Sequence, residues 1–150
     1  MKNQKGITLI ALVITIIVLL ILAGVSIAML AGDNGVLTKA SDSKIVNAIG
    51  AMKDTCALAA SEALADYYDS IYLTNNSSPY TPENLRNAIK AAINAVKDDA
   101  DVEVKDVGTD YTFIIDSKAK PSTGTGTKLY TTGTITEQGG ITWVDHFKGE

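Results

Sequence analysis

Residues 7–31 read ITLIALVITIIVLLILAGVSIAMLA, and no charged side chain falls between Lys5 and Asp33. The polar members of the stretch are Thr8, Thr15, Gly24 and Ser26. As a helix, twenty-five residues at a rise of about 1.5 Å each reach about 38 Å. A bilayer's hydrocarbon core is about 30 Å thick, so the segment is long enough to span it with some tilt. It is apolar on every side, whereas a soluble surface helix carries an apolar stripe on one side only. Its many β-branched residues lower helix propensity. In lipid, however, a single span must satisfy its own backbone, and only a helix does so. Lys2 and Lys5 precede the span. Positive charge before a span keeps that end in the cytoplasm, so everything after Ala31 is expected outside.

Several kinds of segment share these properties. Ser26-Ile27-Ala28 resembles the small-x-small site of a cleaved secretory signal, but the apolar run far exceeds the usual ~7–15 residues of such signals. A plain signal anchor accounts for the length. A buried soluble helix needs a larger core than 150 residues readily supply around a span apolar on all sides.

The residues at the boundary add a fourth reading. The chain opens MKNQKG-ITLIALVITIIVLLILAGVSIA, a short basic leader ending in glycine with the apolar run starting directly behind it. This resembles the class III signal of type IV pilins and pseudopilins, and Lys5-Gly6-Ile7-Thr8-Leu9-Ile10 is close to that family's K-G-[FM]-T-L-[IV]. The resemblance implies cleavage by a prepilin peptidase between Gly6 and Ile7 and N-methylation of Ile7, where the family usually has phenylalanine. Glycine lets the scissile bond approach a membrane-embedded protease closely. The resemblance further implies that the apolar helix is retained. It would serve as a membrane anchor until the subunit is extracted into a fibre, whose core would take Leu9, Ile10, Ala11, Val13, Ile14 and Ile17. The family usually places a glutamate five residues into the mature chain. Here that position is Ala11, which bears on whether the subunit is a major or a minor one.

The implied organisation is a leader at 1–6, a transmembrane and fibre-core helix at 7–31, and an extracytoplasmic domain at 32–150. The implied partners are other copies of the chain, the prepilin peptidase, the pilus assembly platform with its ATPase, and the membrane. The implied location is the cytoplasmic membrane before assembly and an extracellular fibre afterwards.

Composition narrows the remaining possibilities. The 13 basic and 17 acidic residues leave a formal charge of -4, with a pI near 4.9. A nucleic-acid binder normally shows a basic face, so no such contact is expected. One cysteine, Cys56, rules out an internal disulfide framework. With one histidine, His146, the chain also lacks the ligands of the usual zinc sites. Neither GxGxxG nor GxxxxGK[ST] occurs, and GTGT at 124–127 has no following helix to make it a phosphate loop. No triad or carboxylate pair stands out. The chain is therefore expected to act as a structural protein rather than an enzyme, with no cofactor and no metal.

Beyond the span, Gly32-Asp33-Asn34-Gly35 signals a turn or helix break, with Asp33 able to cap a new helix. From 36 to 72 the pattern is helical. Ile45, Ile49, Met52, Cys56, Ala59, Ala63, Tyr67 and Ile71 form one stripe, with Lys44, Lys53, Asp54, Glu62 and Asp66 on the wetter side. Cys56 in that stripe is expected to be a buried thiol. A polar loop at 73–80 holds Asn75 and Asn76, each opening an N-x-S sequence. Thr81 and Pro82 then start a second helix ending near Lys97, with Leu85, Ile89, Ala92, Ile93 and Val96 inward. Asp98, Asp99 and Asp101 read as a solvated acidic turn, since they lack the EF-hand pattern of calcium loops.

The period then becomes two. Strands are expected at 102–107, 111–115, 128–136 and 140–144, with a Gly/Ser/Thr/Pro loop at 118–127. Gly139-Gly140 would supply the positive φ of a hairpin. Trp143 is expected to clasp the long helix, and His146 to be solvated. The expected fold is α+β and pilin-like: a long N-terminal helix, apolar in its first half, packed on a small antiparallel sheet, with one additional short helix. The competing expectation is a monomeric, signal-anchored binding domain that never polymerises.

Overall fold

A computed structural model describes residues 4–32, 35–73, 80–118 and 129–146, except for the side chains of residues 4–7 and Ala31. Lys2, Asp33, Asn75, Asn76, Lys128 and nearly all of the 118–127 loop therefore lie outside the described residues. The elements are α1 (Gln4–Ala31), α2 (Val36–Tyr72), α3 (Pro82–Asn94), β1 (Val102–Val104), β2 (Thr112–Ser117), β3 (Tyr130–Ile135) and β4 (Ile141–His146). This is the α+β element set that the periodicity implied, and the pilin-like one that the resemblance implied. The chain divides into two compact units, Met1–Ser41 and Asp42–Glu150.

In the second unit, α2 buries Ile45, Ile49, Met52, Cys56 and Ala60. The expected stripe placed Ala59 inward, but Ala60 is the buried residue and Ala59 only half-buried. The step from Cys56 is four residues rather than three, as a 3.6-residue period requires over several turns. α3 starts as its sequence dictates. Thr81 is extended (φ −132°, ψ 140°), and its hydroxyl accepts the Asn84 N–H at 3.2 Å, satisfying one of the helix's orphan donors. Leu85, Ile89 and Ile93 form its buried side. The helix stops at Asn94, short of Lys97. The Asn94 side-chain oxygen accepts the Val107 N–H at 2.9 Å, tying the helix end to the chain beyond β1.

The four strands run antiparallel in the order β1-β2-β3-β4. Phe113, Ile115, Thr131 and Ile135 lie on the buried face and join the helices' apolar residues in one core with Val102, Val107 and Leu129. The strand boundaries differ from the expected ones for local reasons. β1 ends at Val104 because the Val107 N–H turns to Asn94. β2 starts at Thr112 because Tyr111 has φ 61°, a left-handed conformation costing a non-glycine residue roughly 1–2 kcal/mol. Three contacts offset that strain. The Arg86 guanidinium sits 4.3 Å from the Tyr111 ring centroid. The Tyr111 hydroxyl donates to Asn87 Oδ1 at 3.2 Å, and the Tyr111 carbonyl accepts the Ile135 N–H at 3.0 Å.

β4 extends to His146, which pairs in register with Tyr130. The expectation of a solvated His146 is corrected here: it is half-buried, and its ring stacks on Tyr130 with centroids 4.3 Å apart. An aromatic cross-strand neighbour offers the imidazole a surface that solvent does not.

Two glycines hold this arrangement together. Gly139 has φ 86°, as the β3–β4 turn needs, and a Cβ there would sit 2.9 Å from Leu64 Cδ1 and 3.2 Å from Ile89 Cδ1. The turn thus rests against both α2 and α3. Gly133 lies opposite Phe113 on one side and Trp143 on the other. Those rings meet edge to face over its bare backbone, with centroids 5.5 Å apart at 77°. Trp143 reaches α2 as expected, but through a cation: Lys53 Nζ lies 5.3 Å from its ring centroid and 2.9 Å from Asp145 Oδ1.

A Cβ at Gly133 would fall 2.6 Å from Phe113 Cζ and 2.8 Å from Trp143 Cζ3. Gly133→Ala is therefore expected to destabilise the protein by about 1–3 kcal/mol, read as a lower urea midpoint with altered Trp143 fluorescence. Stability should also be flat through the neutral range and fall at both ends. Burial pushes the Asp145 carboxyl up, but hydrogen bonds from Thr131 and Lys53 and the charges of Lys53 and His146 outweigh it and hold it below its usual range. The Val104 N–H does the same for Asp98, aided by Lys118 and opposed by burial. Both acids are expected to contribute stability that is complete above an unfolded value of ~3.9 and lost as pH falls through their lower folded values. Lys105 is raised by its hydrogen bond to Asp116 and that carboxylate's charge, against burial and with help from Glu103. Its contribution should be complete below ~10.4 and lost as pH climbs through the higher folded value. Urea midpoints at pH 3, 7 and 11 check both signs.

Candidate processing and anchoring segment

α1 is apolar along its length, and the stretch Thr8–Leu30 qualifies as a membrane span of 23 residues with a mean hydropathy of 3.1. None of that stretch is buried in the protein. Leu9 is 63% exposed and Ile17 50%, and Ile10, Ala11, Val13 and Ile14 are likewise exposed. The buried soluble helix considered on sequence grounds is therefore not what the chain forms. Gly6 and Ile7 fall in the first turns of the helix. The two hydroxyls further along turn inward on the helix itself. Thr15 donates to the Leu12 carbonyl and Ser26 to the Leu22 carbonyl, each at 2.8 Å. In lipid, where no water is available to a hydroxyl, such back-bonding removes most of the cost of carrying one.

The helix stops in a tight glycine corner. The Gly32 N–H donates to the Ala28 carbonyl at 3.0 Å, and the Gly35 N–H to the Gly32 carbonyl at 2.6 Å. A Cβ on Gly35 would lie 2.6 Å from the Leu30 carbonyl oxygen and 2.8 Å from that of Gly32, so no larger residue fits this corner unchanged. The Thr38 hydroxyl, nearly buried, donates to the same Gly32 carbonyl at 3.2 Å, and the Lys39 N–H takes up the Gly35 carbonyl at 3.1 Å. The sequence showed the glycines. It gave no hint of Thr38, whose role depends on a carbonyl six residues earlier.

Comparison with known proteins bears on this segment. Residues 1–27 match the family model of the prokaryotic N-terminal methylation motif. The chain carries the class III signal of a pilin-like precursor. No curated protein and no solved structure matches the chain. The motif covers the basic residues before the apolar run and most of the run itself, and it implies processing by prepilin peptidase and association with the membrane. Within the motif, α1 holds no carboxylate, and the position five residues after Gly6 is Ala11.

Elsewhere the chemistry-bearing residues are committed to structure. Asp98 Oδ1 accepts the Val104 N–H at 3.0 Å, Asp99 Oδ1 accepts the Ala100 N–H, and Asp101 pairs with Lys44 at 2.8 Å. Among the described residues, no three His, Cys, Asp or Glu side chains gather to hold a metal ion. Cys56 is fully buried, and burial pushes its thiol up to about 11. Since the thiolate is the reactive form, Cys56 is expected to resist iodoacetamide at pH 8 in the folded protein. It should alkylate stoichiometrically in 6 M guanidinium, as read by intact mass.

Proposed function

We propose that this chain is a structural subunit of a type IV pilus or pseudopilus. It is cut between Gly6 and Ile7, methylated on Ile7, held in the cytoplasmic membrane by its apolar helix, and polymerised through that helix into an extracellular fibre. One observation carries the reading: the span Thr8–Leu30 is wholly exposed and directly follows a leader that matches the methylation motif. Burying a single large apolar side chain contributes about 1.5–3 kcal/mol. A helix exposing sixteen of them between Leu9 and Leu30 therefore leaves on the order of tens of kcal/mol unsatisfied in water. Lipid satisfies that demand first, and neighbouring copies of the same helix satisfy it in a fibre.

Leu9, Ile10, Ala11, Val13, Ile14 and Ile17 would line the contact between subunits. With alanine at position 11, docking would rest on packing alone rather than on a carboxylate–amine pair. The role is interaction, not catalysis. The assembly platform and its ATPase would supply the work of extraction, and the fibre would serve adhesion, motility, DNA uptake or secretion.

The test is the mass and N-terminal sequence of the mature protein from its native host. A start at N-methyl-Ile7 is expected, together with sheared surface material that contains fibres. Gly6→Val should abolish both. A start near Met29 would instead indicate a secreted domain, and an intact leader a plain anchor; either overturns the reading.

A further inference from the structure

Four of the chain's six tyrosines lie between 67 and 80, and the fold gathers them where α2 ends and α3 begins. The Thr81 N–H donates to the Tyr67 hydroxyl at 3.5 Å, which brings the two helix ends together. Tyr68 lies nearly parallel to both Tyr80 and Tyr72, at 8° and 21°, with ring centroids 6.2 Å away in each case. Tyr67 meets Tyr68 at 6.2 Å and Tyr80 at 6.3 Å. Only Tyr67 among them packs against the core. Tyr72 is 76% exposed and Tyr80 45%, with Leu73 beside them at 76%. Leu58 and Val144 are exposed as well, but singly, whereas these rings are contiguous, and a contiguous exposed apolar patch marks an interaction surface.

The chain leading into and out of this surface carries charge of one sign. From residue 54 to residue 85 the chain carries Asp54, Glu62, Asp66, Asp69 and Glu83 and no basic residue. The next base, Arg86, is occupied over the Tyr111 ring. Glu137, at the tip of the β3–β4 turn, adds its field at Tyr80. Burial first, then Tyr68 and Tyr67, and lastly Glu137 raise that hydroxyl above its ordinary range. Ring faces and carboxylates both attract cations. The spacing of the rings is informative too. Tyr80, Tyr68 and Tyr72 repeat at 6.2 Å, close to the ~6.6 Å between alternate side chains of an extended peptide.

We propose that Tyr67, Tyr68, Tyr72 and Tyr80, with the acidic rim of Asp69 and Glu137, form a docking surface for an extended peptide segment of a partner protein that carries arginine or lysine at alternate positions. Alternate cationic side chains lie over successive rings, and the carboxylates neutralise them from the rim. The surface does not depend on polymerisation, so it stands or falls separately from the fibre reading.

The test uses the full chain in non-ionic detergent micelles and a fluorescein-labelled (Ser-Arg)4 peptide, followed by anisotropy at 0.15 M NaCl. Saturable binding to the wild-type protein is expected. Tyr68→Ser with Tyr72→Ser should weaken it at least tenfold, and Asp69→Asn with Glu137→Gln at least threefold. Tyr72→Ser alone, at a residue largely in solvent, should weaken binding with an unchanged thermal midpoint, which separates a lost contact from a lost fold. The proposal is overturned by any of three results: no binding by the wild type, full binding by Tyr72→Ser and the double tyrosine variant, or equal binding of a (Ser-Glu)4 peptide or of cellohexaose.

Discussion

A helical stretch of 23 residues with no charge and no buried face is poorly suited to water, and the rest of the chain is organised around that constraint. The hydroxyls of Thr15 and Ser26 are turned onto the helix's own carbonyls, so neither opposes lipid or a neighbouring helix. The constraint also sets where the helix must end. Gly32 and Gly35 close a corner too tight for a side chain, and Thr38 takes up a carbonyl that the broken helix would otherwise leave bare. A helix terminus leaves several backbone groups without partners. Meeting that need locally lets α2 begin afresh, with a different composition and a different solvent.

The second unit is built on ordinary soluble terms, and its sheet is fitted to the helices by what is missing as much as by what is present. Phe113 and Trp143 can meet only because Gly133 presents no side chain between them. The β3–β4 turn can press on Leu64 and Ile89 only because Gly139 has no Cβ. Tyr111 runs the other way: a bulky residue holds a conformation that suits glycine, and its ring and hydroxyl are engaged by Arg86 and Asn87 of α3. The same residue thus shapes the turn into β2 and pins that turn to the helix.

This explains what was legible in the chain and what was not. Periodicity and composition are local, so the apolar span, the α2 stripe through Cys56, the Thr81 cap and the count of strands could be read directly. The methylation motif at residues 1–27 was legible for another reason, because a recognition signal is carried by consecutive residues. Long-range pairing is not local. His146 looked like a solvated tail residue because Tyr130, its stacking partner, lies sixteen positions earlier and is opposed to it only by sheet register. Lys53 looked like a wet-face charge because Trp143 and Asp145 come from the last strand. Of the tyrosines at 67, 68 and 72, only Tyr67 falls on the helical stripe. Their companion Tyr80 lay beyond a polar loop, and the cluster exists only once α3 folds back against α2.

The two units also differ in how they answer to conditions. Between Thr8 and Leu30 there is no titratable side chain, so packing along that stretch has no side-chain proton to gain or lose, and salt has no side-chain charge there to screen. Its strength follows apolar area and fit. The second unit is the reverse. Lys53 with Asp145, Lys105 with Asp116 and Lys118 with Asp98 tie strand to helix, loop to strand and loop to loop, and each has at least one partner well exposed to solvent, where ionic strength weakens it. Acid, or screening by salt, therefore acts on the ion pairs of the folded domain and finds no ion pair to act on between Thr8 and Leu30. If these helices form a fibre core, that core is less sensitive to its surroundings than the domains it displays.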